Sequence, residues 1–286
     1  MFENVIFAGG GSRCVWQLGF WHGANSAGLG LDETASYVAS TSAGCAMATA
    51  AILNREQEAL DRFKALTAAN PRNIHWQNLR PGSGSPLLPH MAMYRQAMEE
   101  LLSKDDLDVL QEKTLEFLIA RRPGHLPGVL GPFLGFSVYG LEKRMTGRVH
   151  PRWSRKLGFA PIVADAGDAA DVQELIAMVL AASCVPPVLP SPPYRGEHVL
   201  DGGMIDNVPA FLADQRPGET LVLLSKRYQR PLPDVPGRIY VQPSAPIRMD
   251  KFDYANPDGL QEVFELGAAD GRAYTLKALS GGRTAL

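Results

Sequence analysis

No apolar run in this sequence approaches the roughly 18 residues that a membrane-spanning helix requires, so no transmembrane segment is expected. Cysteine is scarce. Cys14, Cys45 and Cys184 form neither a CxxC pair nor a zinc spacing, which argues against a disulfide framework and for a reducing compartment. Neither sign of charge dominates: 28 Lys and Arg stand against 30 Asp and Glu, and the net charge of −2 leaves no electrostatic footprint for nucleic acid. The first residues, Met1–Ala8, lack a basic start and reach glycine after a brief apolar stretch, so they read as a strand entering a turn rather than a secretory signal. The expectation is a soluble, cytoplasmic protein.

What is present is ordinary globular composition, 45% apolar and 20% charged over 286 residues, enough for one large α/β domain or two small ones. Apolar strand patterns are expected at Asn4–Ala8, Ser36–Ser40, Thr114–Arg121, Phe159–Ala164, His198–Leu200, Glu219–Ser225 and Arg238–Val241. Between them helices are expected at Val15–Ala24, from Ser42 to about Leu53, and at Glu56–Ala69, Met91–Leu102 and Asp171–Ala182. Two more, Asp258–Gly267 and Gly271–Leu279, close the chain. The stripe Met91, Tyr94, Met98, Leu101 and Leu102 reads as core packing, with a lipid-facing lid as the alternative. Pro71–Pro89 is a long Pro/Gly/Ser-rich loop, and Leu126–Phe136 is apolar but too broken by Pro and Gly for a regular element. No repeat or linker divides the chain. The alternation predicts an α/β fold with a mostly parallel sheet.

Three turns carry candidate chemistry. In Ser40–Thr41–Ser42–Ala43–Gly44, Ser42 sits between a short strand and a helix of small residues, where a hydroxyl is exposed for attack. A plain small-residue turn is the competing reading. Gly9–Gly10–Gly11–Ser12–Arg13 leaves backbone N–H groups unobstructed, as an anion cradle does. Neither the P-loop Lys-Ser/Thr nor a complete G-x-G-x-x-G is present, so a transient oxyanion suits the loop better than a nucleotide phosphate. Asp201 ends a strand and enters Gly202–Gly203; a structural Asx-turn is its alternative. In a parallel sheet all three turns gather at the C-terminal edge, where Ser42 attacks a carbonyl, Asp201 accepts its proton and the Gly10 and Gly11 N–H groups hold the oxyanion. The histidines are His22, His75, His90, His125, His150 and His198; none follows Asp201, and His198 lies on the opposite face of its strand. A Ser–Asp dyad fits better than a triad.

These three blocks together resemble the patatin-like phospholipase family, whose pattern is a Gly-rich oxyanion segment with a basic residue, then G-x-S-x-G, then D-G-G or D-G-A on a late strand. The resemblance covers residues 4–54 and 171–213, includes Asp206–Asn207–Val208–Pro209, and leaves a variable or lid region at about 70–160. It implies a single domain over 1–286, a three-layer α/β/α architecture around a mostly parallel central sheet, and a phospholipase A or lysophospholipase type of acyl hydrolase without metal or organic cofactor. Ser42 is implied as nucleophile and Asp201 as general base, with Gly9, Gly10 and Gly11 as the oxyanion hole. Arg13, Gly44, Gly202, Gly203 and Asn207 are implied as supporting residues, Arg13 either steadying the loop, meeting a lipid phosphate or forming a surface salt bridge. The implied partner is a lipid or lysophospholipid, with peripheral membrane contact through apolar loops such as Leu126–Phe136. A water-soluble carboxylesterase or thioesterase and a silent module holding an anionic or lipid ligand are the alternatives. Two positions depart from the pattern: Ser40 replaces the first elbow glycine, and Cys14 adds a Cβ near the glycine loop.

Overall fold

The computed structural model describes residues 2–79, 86–123, 149–150, 158–186, 188–190 and 193–281. The Leu126–Phe136 segment and His125 lie outside the described residues. The central strand is β1 (Phe2–Phe7), flanked in parallel by β2 (Tyr37–Thr41) and β7 (Glu219–Leu223). Beyond them β3 (Thr114–Arg121) pairs parallel with β2, and β8 (Arg238–Val241) parallel with β7. The remaining strands, β4 (Ala160–Asp165), β5 (Pro193–Tyr194) and β6 (Glu197–Asp201), join antiparallel. Hydrogen-bonded neighbours can be traced as β5-β6-β3-β2-β1-β7-β8, with β4 a further partner of β3. The sheet is thus mixed but mostly parallel, as expected.

The strands bury both faces, as parallel strands between layers do. In β1, Val5 and Phe7 face one cluster while Ile6 faces another, and in β7 Leu221 and Leu223 alternate with Val222 in the same way. The first face carries the main helices: α1 (Val15–Ser26), α3 (Gly44–Ile52), α4 (Glu56–Ala69), α5 (His90–Leu101) and α7 (Val172–Ala182). A single turn, α2 (Leu31–Thr34), leads into β2, and a short helix absent from the sequence reading, α6 (Asp105–Glu112), leads into β3. The opposite layer is thinner, built by α8 (Gly203–Asp206) and a 3₁₀ turn at Ala210–Ala213. No described helix is long and apolar enough to cross a membrane.

The two expected C-terminal helices are one, α9 (Pro257–Leu279), started by the Asn256 side chain, which accepts the Gly259 N–H at 2.8 Å. Gly267 and Gly271 are contact points rather than breaks. A Cβ on Gly267 would stand 2.1 Å from the Trp16 carbonyl, and one on Gly271 2.2 Å from that of Phe20. Reciprocally, Cβ atoms on Gly19 and Gly23 of α1 would stand 2.1 Å from the Phe264 and Ala268 carbonyls. The two backbones therefore touch, which explains glycines inside α1 despite their poor helix propensity. Trp16 Nε1 donates to Asp270 at 2.8 Å across the same seam.

Candidate active site

Between β2 and α3 the chain turns through Ser42 with φ of 57°, a left-handed conformation that costs a non-glycine residue about 1–3 kcal/mol. Such strain persists only where the surroundings hold it. Here the Ser42 N–H donates to the Ala182 carbonyl at 3.1 Å, and Gly44 lies so close to β1 that a Cβ would stand 2.8 Å from the Ala8 carbonyl. Ser40, which stands where the pattern has its first elbow glycine, is fully buried in β2 with its hydroxyl 3.4 Å from the Glu116 carbonyl.

Asp201 meets Ser42 by a route different from the one expected. β4 and β2 overlap along β3 and so lie on its opposite edges. β6 pairs with Ile119–Arg121, overlapping β4, and therefore continues the edge that β2 leaves at Leu118. β2 and β6 run head-on in one lane and end against each other. Asp201 arrives from an antiparallel strand, not from the common edge of a parallel sheet. Gly202 makes the junction possible, since a Cβ there would stand 1.8 Å from the Leu118 carbonyl. The Ala182 carbonyl that anchors Ser42 also accepts the Gly202 N–H at 3.1 Å, and the Cys184 carbonyl accepts that of Asp201 at 2.9 Å. One helix end thus fixes both turns.

Asp201 is 4% exposed. Burial pushes its carboxyl up to about 6, against hydrogen bonds from the Ser42 side chain and from the Gly203 N–H at 2.7 Å, which favour the ionised form. No described histidine bonds to either residue. His150 joins Asp206 at 2.8 Å and Tyr240 at 3.0 Å, and His198 is exposed on β6.

The glycine loop divides its labour. Gly9 is clamped: its N–H donates to the Asn207 carbonyl at 2.8 Å, while its own carbonyl accepts Asn207 Nδ2 at 2.6 Å and Ser225 Oγ at 2.5 Å. The expectation that Gly9 donates to an oxyanion is corrected, because its one donor is engaged. A Cβ on Gly9 would stand 2.8 Å from Ser42 Cβ, so its glycine character makes room for the serine. The N–H groups of Gly10, Gly11 and Ala43 have no acceptor among the described residues. Gly11 holds φ of 62°, and a Cβ there would stand 2.1 Å from the Lys251 carbonyl. Cys14 does not crowd the loop; its thiol is buried behind it, 3.4 Å from the Ala8 carbonyl. Arg13 has no carboxylate within ion-pair distance among the described residues, and its Nε is buried without a partner.

Beside Gly11 and Ala43 opens a narrow apolar pocket, walled by Val15, Met47, Phe63, Met98 and others. Tyr94, Met98 and Leu101 of the expected α5 stripe are buried, as the core-packing reading expects, and also line it. The sequence reading missed the Ala182 and Cys184 carbonyls, the Ala43 N–H and Ser225. The first three are backbone groups, which leave no residue-type signal. Ser225 was seen only as the end of a strand.

A family model described as patatin-like phospholipase matches residues 5–214. The comparison with curated proteins finds no match.

Proposed function

Because the chain belongs to the patatin-like phospholipase family, a family of lipid acyl hydrolases, we propose that it hydrolyses lipid carboxylic esters of the phospholipase A or lysophospholipase type through a Ser42–Asp201 dyad. The observation that carries the reading is the meeting of the left-handed Ser42 turn with the buried carboxylate of Asp201, both anchored on the Ala182 carbonyl where β2 and β6 end head-on, next to the apolar pocket that Gly11 and Ala43 line. Ser42 Oγ attacks the ester carbonyl as Asp201 takes its proton. The Gly10, Gly11 and Ala43 N–H groups receive the developing oxyanion, each such donor supporting about 10²–10³ in rate. The C–O bond then breaks, and Asp201 returns the proton to the leaving alcohol. Water, deprotonated by the same carboxylate, releases the fatty acid and restores Ser42. The acyl chain lies in the apolar cavity, and the whole chain acts as one domain at a lipid surface.

A fluorophosphonate tests the nucleophile. Stoichiometric labelling of the wild-type protein, absent in Ser42→Ala, is the expected result; a folded wild-type protein that takes up no label would make it a silent ligand-binding module. Growth of turnover above the substrate's micellar threshold separates a lipid hydrolase from a soluble carboxylesterase.

The pH profile follows from Asp201. The base acts only when ionised, so kcat/KM is expected to rise with pH through an apparent pKa of about 6 and then level off. A flat profile between pH 5 and 7 would remove Asp201 from the proton transfer.

A further inference from the structure

The glycine loop is clamped through Asn207, and Asn207 is in turn held from the thinner layer of the fold. Its carbonyl accepts the Gly9 N–H at 2.8 Å, and its Nδ2 donates to the Gly9 carbonyl at 2.6 Å. The preceding residue, Asp206, ends α8 and is buried. Asp206 Oδ1 accepts the Val208 N–H at 3.0 Å, which closes an Asx turn over Asn207. Its other oxygen, Oδ2, meets His150 Nδ1 at 2.8 Å. One carboxylate thus joins the turn that carries Asn207 to a histidine 56 residues earlier in the chain.

His150 is itself held at both ring nitrogens. A carboxylate only accepts, so Nδ1 carries a proton, and Nε2 lies 3.0 Å from the Tyr240 hydroxyl on β8. The His150 and Tyr240 rings pack edge to face with centroids 6.0 Å apart. Val149 beside it is buried in the same cluster as Ile6, Val208 and Tyr240. With both nitrogens engaged, the ring is set to hold Asp206 rather than to ligate a metal or pass a proton. A buried carboxylate that loses a donor is left undersatisfied, and the turn it closes moves with it. No motif marks this histidine, which falls in the region of about 70–160 that the family pattern leaves variable.

We propose that His150 is a positioning residue for the hydrolysis: through Asp206 and Asn207 it holds the glycine loop where the Gly10 and Gly11 N–H groups meet the oxyanion. The inference rests on the hydrolase reading for its reaction, whereas the path from His150 to Gly9 is a chain of hydrogen bonds that stands without it. Each printed link of that path is 3.0 Å or shorter. The path matters because oxyanion donors act only when preorganised, and a displacement of about 1 Å can cost as much as 10²-fold in rate.

The test sets two variants of the full chain against each other. His150→Asn brings a nitrogen to the place of Nδ1 and still donates to Asp206; His150→Gln brings one to the place of Nε2 and does not. Both remove the ring, and the side chain is 25% exposed, so both are expected to fold. The first measurement is kcat and KM on an ester and on the thionoester of the same acid and alcohol. Sulfur in place of the carbonyl oxygen accepts hydrogen bonds weakly, so the thionoester gains little from the oxyanion donors. His150→Gln is expected to lose about 10-fold in kcat on the ester at unchanged KM, a part of what removing a donor costs, and less on the thionoester. Its ester-to-thionoester ratio therefore falls severalfold, while His150→Asn keeps the wild-type ratio. The second measurement is hydrogen exchange of the backbone amides over Gly9–Arg13, which needs no turnover. Exchange is expected to quicken in His150→Gln and not in His150→Asn. Equal losses in the two variants, a fall in kcat at an unchanged ratio, or unchanged exchange in His150→Gln overturns the proposal. If the wild-type protein hydrolyses neither ester, the hydrolase reading fails, and exchange still decides whether His150 holds the loop.

Discussion

Asp201→Asn is expected to lower turnover by about 10²–10⁴-fold while raising the melting temperature at neutral pH. Both effects have one cause. The carboxylate is almost fully buried, and burial holds its pKa near 6 rather than the usual carboxylate value. A folded state that binds a proton more tightly than the unfolded chain loses stability as pH rises between the two pKa values. The wild-type protein is therefore expected to weaken from about pH 4 to above pH 6, and the ionised carboxylate costs on the order of 3 kcal/mol at pH 7. Asparagine keeps the shape and the oxygen that accepts the Gly203 N–H, but it carries no charge to desolvate and accepts no proton from Ser42. Thermal melts of both proteins at pH 5 and pH 8, beside turnover on one ester, check this. A melting temperature that falls at pH 8 in the variant would show that the carboxylate is a structural support rather than a strained base.

Gly267→Val is expected to destabilise the protein by at least about 3 kcal/mol, roughly 6–12 °C in melting temperature for a chain of this size class. The added Cβ would stand 2.1 Å from the Trp16 carbonyl, a backbone atom that cannot swing aside as a side chain can. Separating α1 from α9 to admit it would also lengthen the Trp16–Asp270 hydrogen bond and loosen Gly19 and Gly23 from their partners. Because α1 follows directly from Gly11–Cys14, this packing supports the glycine loop from behind. Gly167→Ala is the matched control: its nearest atoms would lie 3.4 Å or more from the new Cβ, and a change within about 0.5 kcal/mol is expected. Equal losses in both variants would mean that the helix pair is not close-packed in solution.

The sequence by itself determined the alternation of strands and helices, the Ser42 turn, the Gly9–Gly11 run and the Asp201–Gly202–Gly203 strand end, because each is written in local periodicity and in residues with distinctive backbone freedom. It also carried the family, through three short blocks in order. It misread Gly267 and Gly271 as a break, since local propensity does not show that another helix backbone lies against them. It assigned Gly9 a free donor, since nothing in Gly9 itself reveals that Asn207, 198 residues later, takes it. Tertiary structure alone decided that β6 runs head-on to β2 and that the Ala182 carbonyl holds both turns. Strand direction and carbonyl acceptors are properties of the folded path, and no single stretch of residues encodes them.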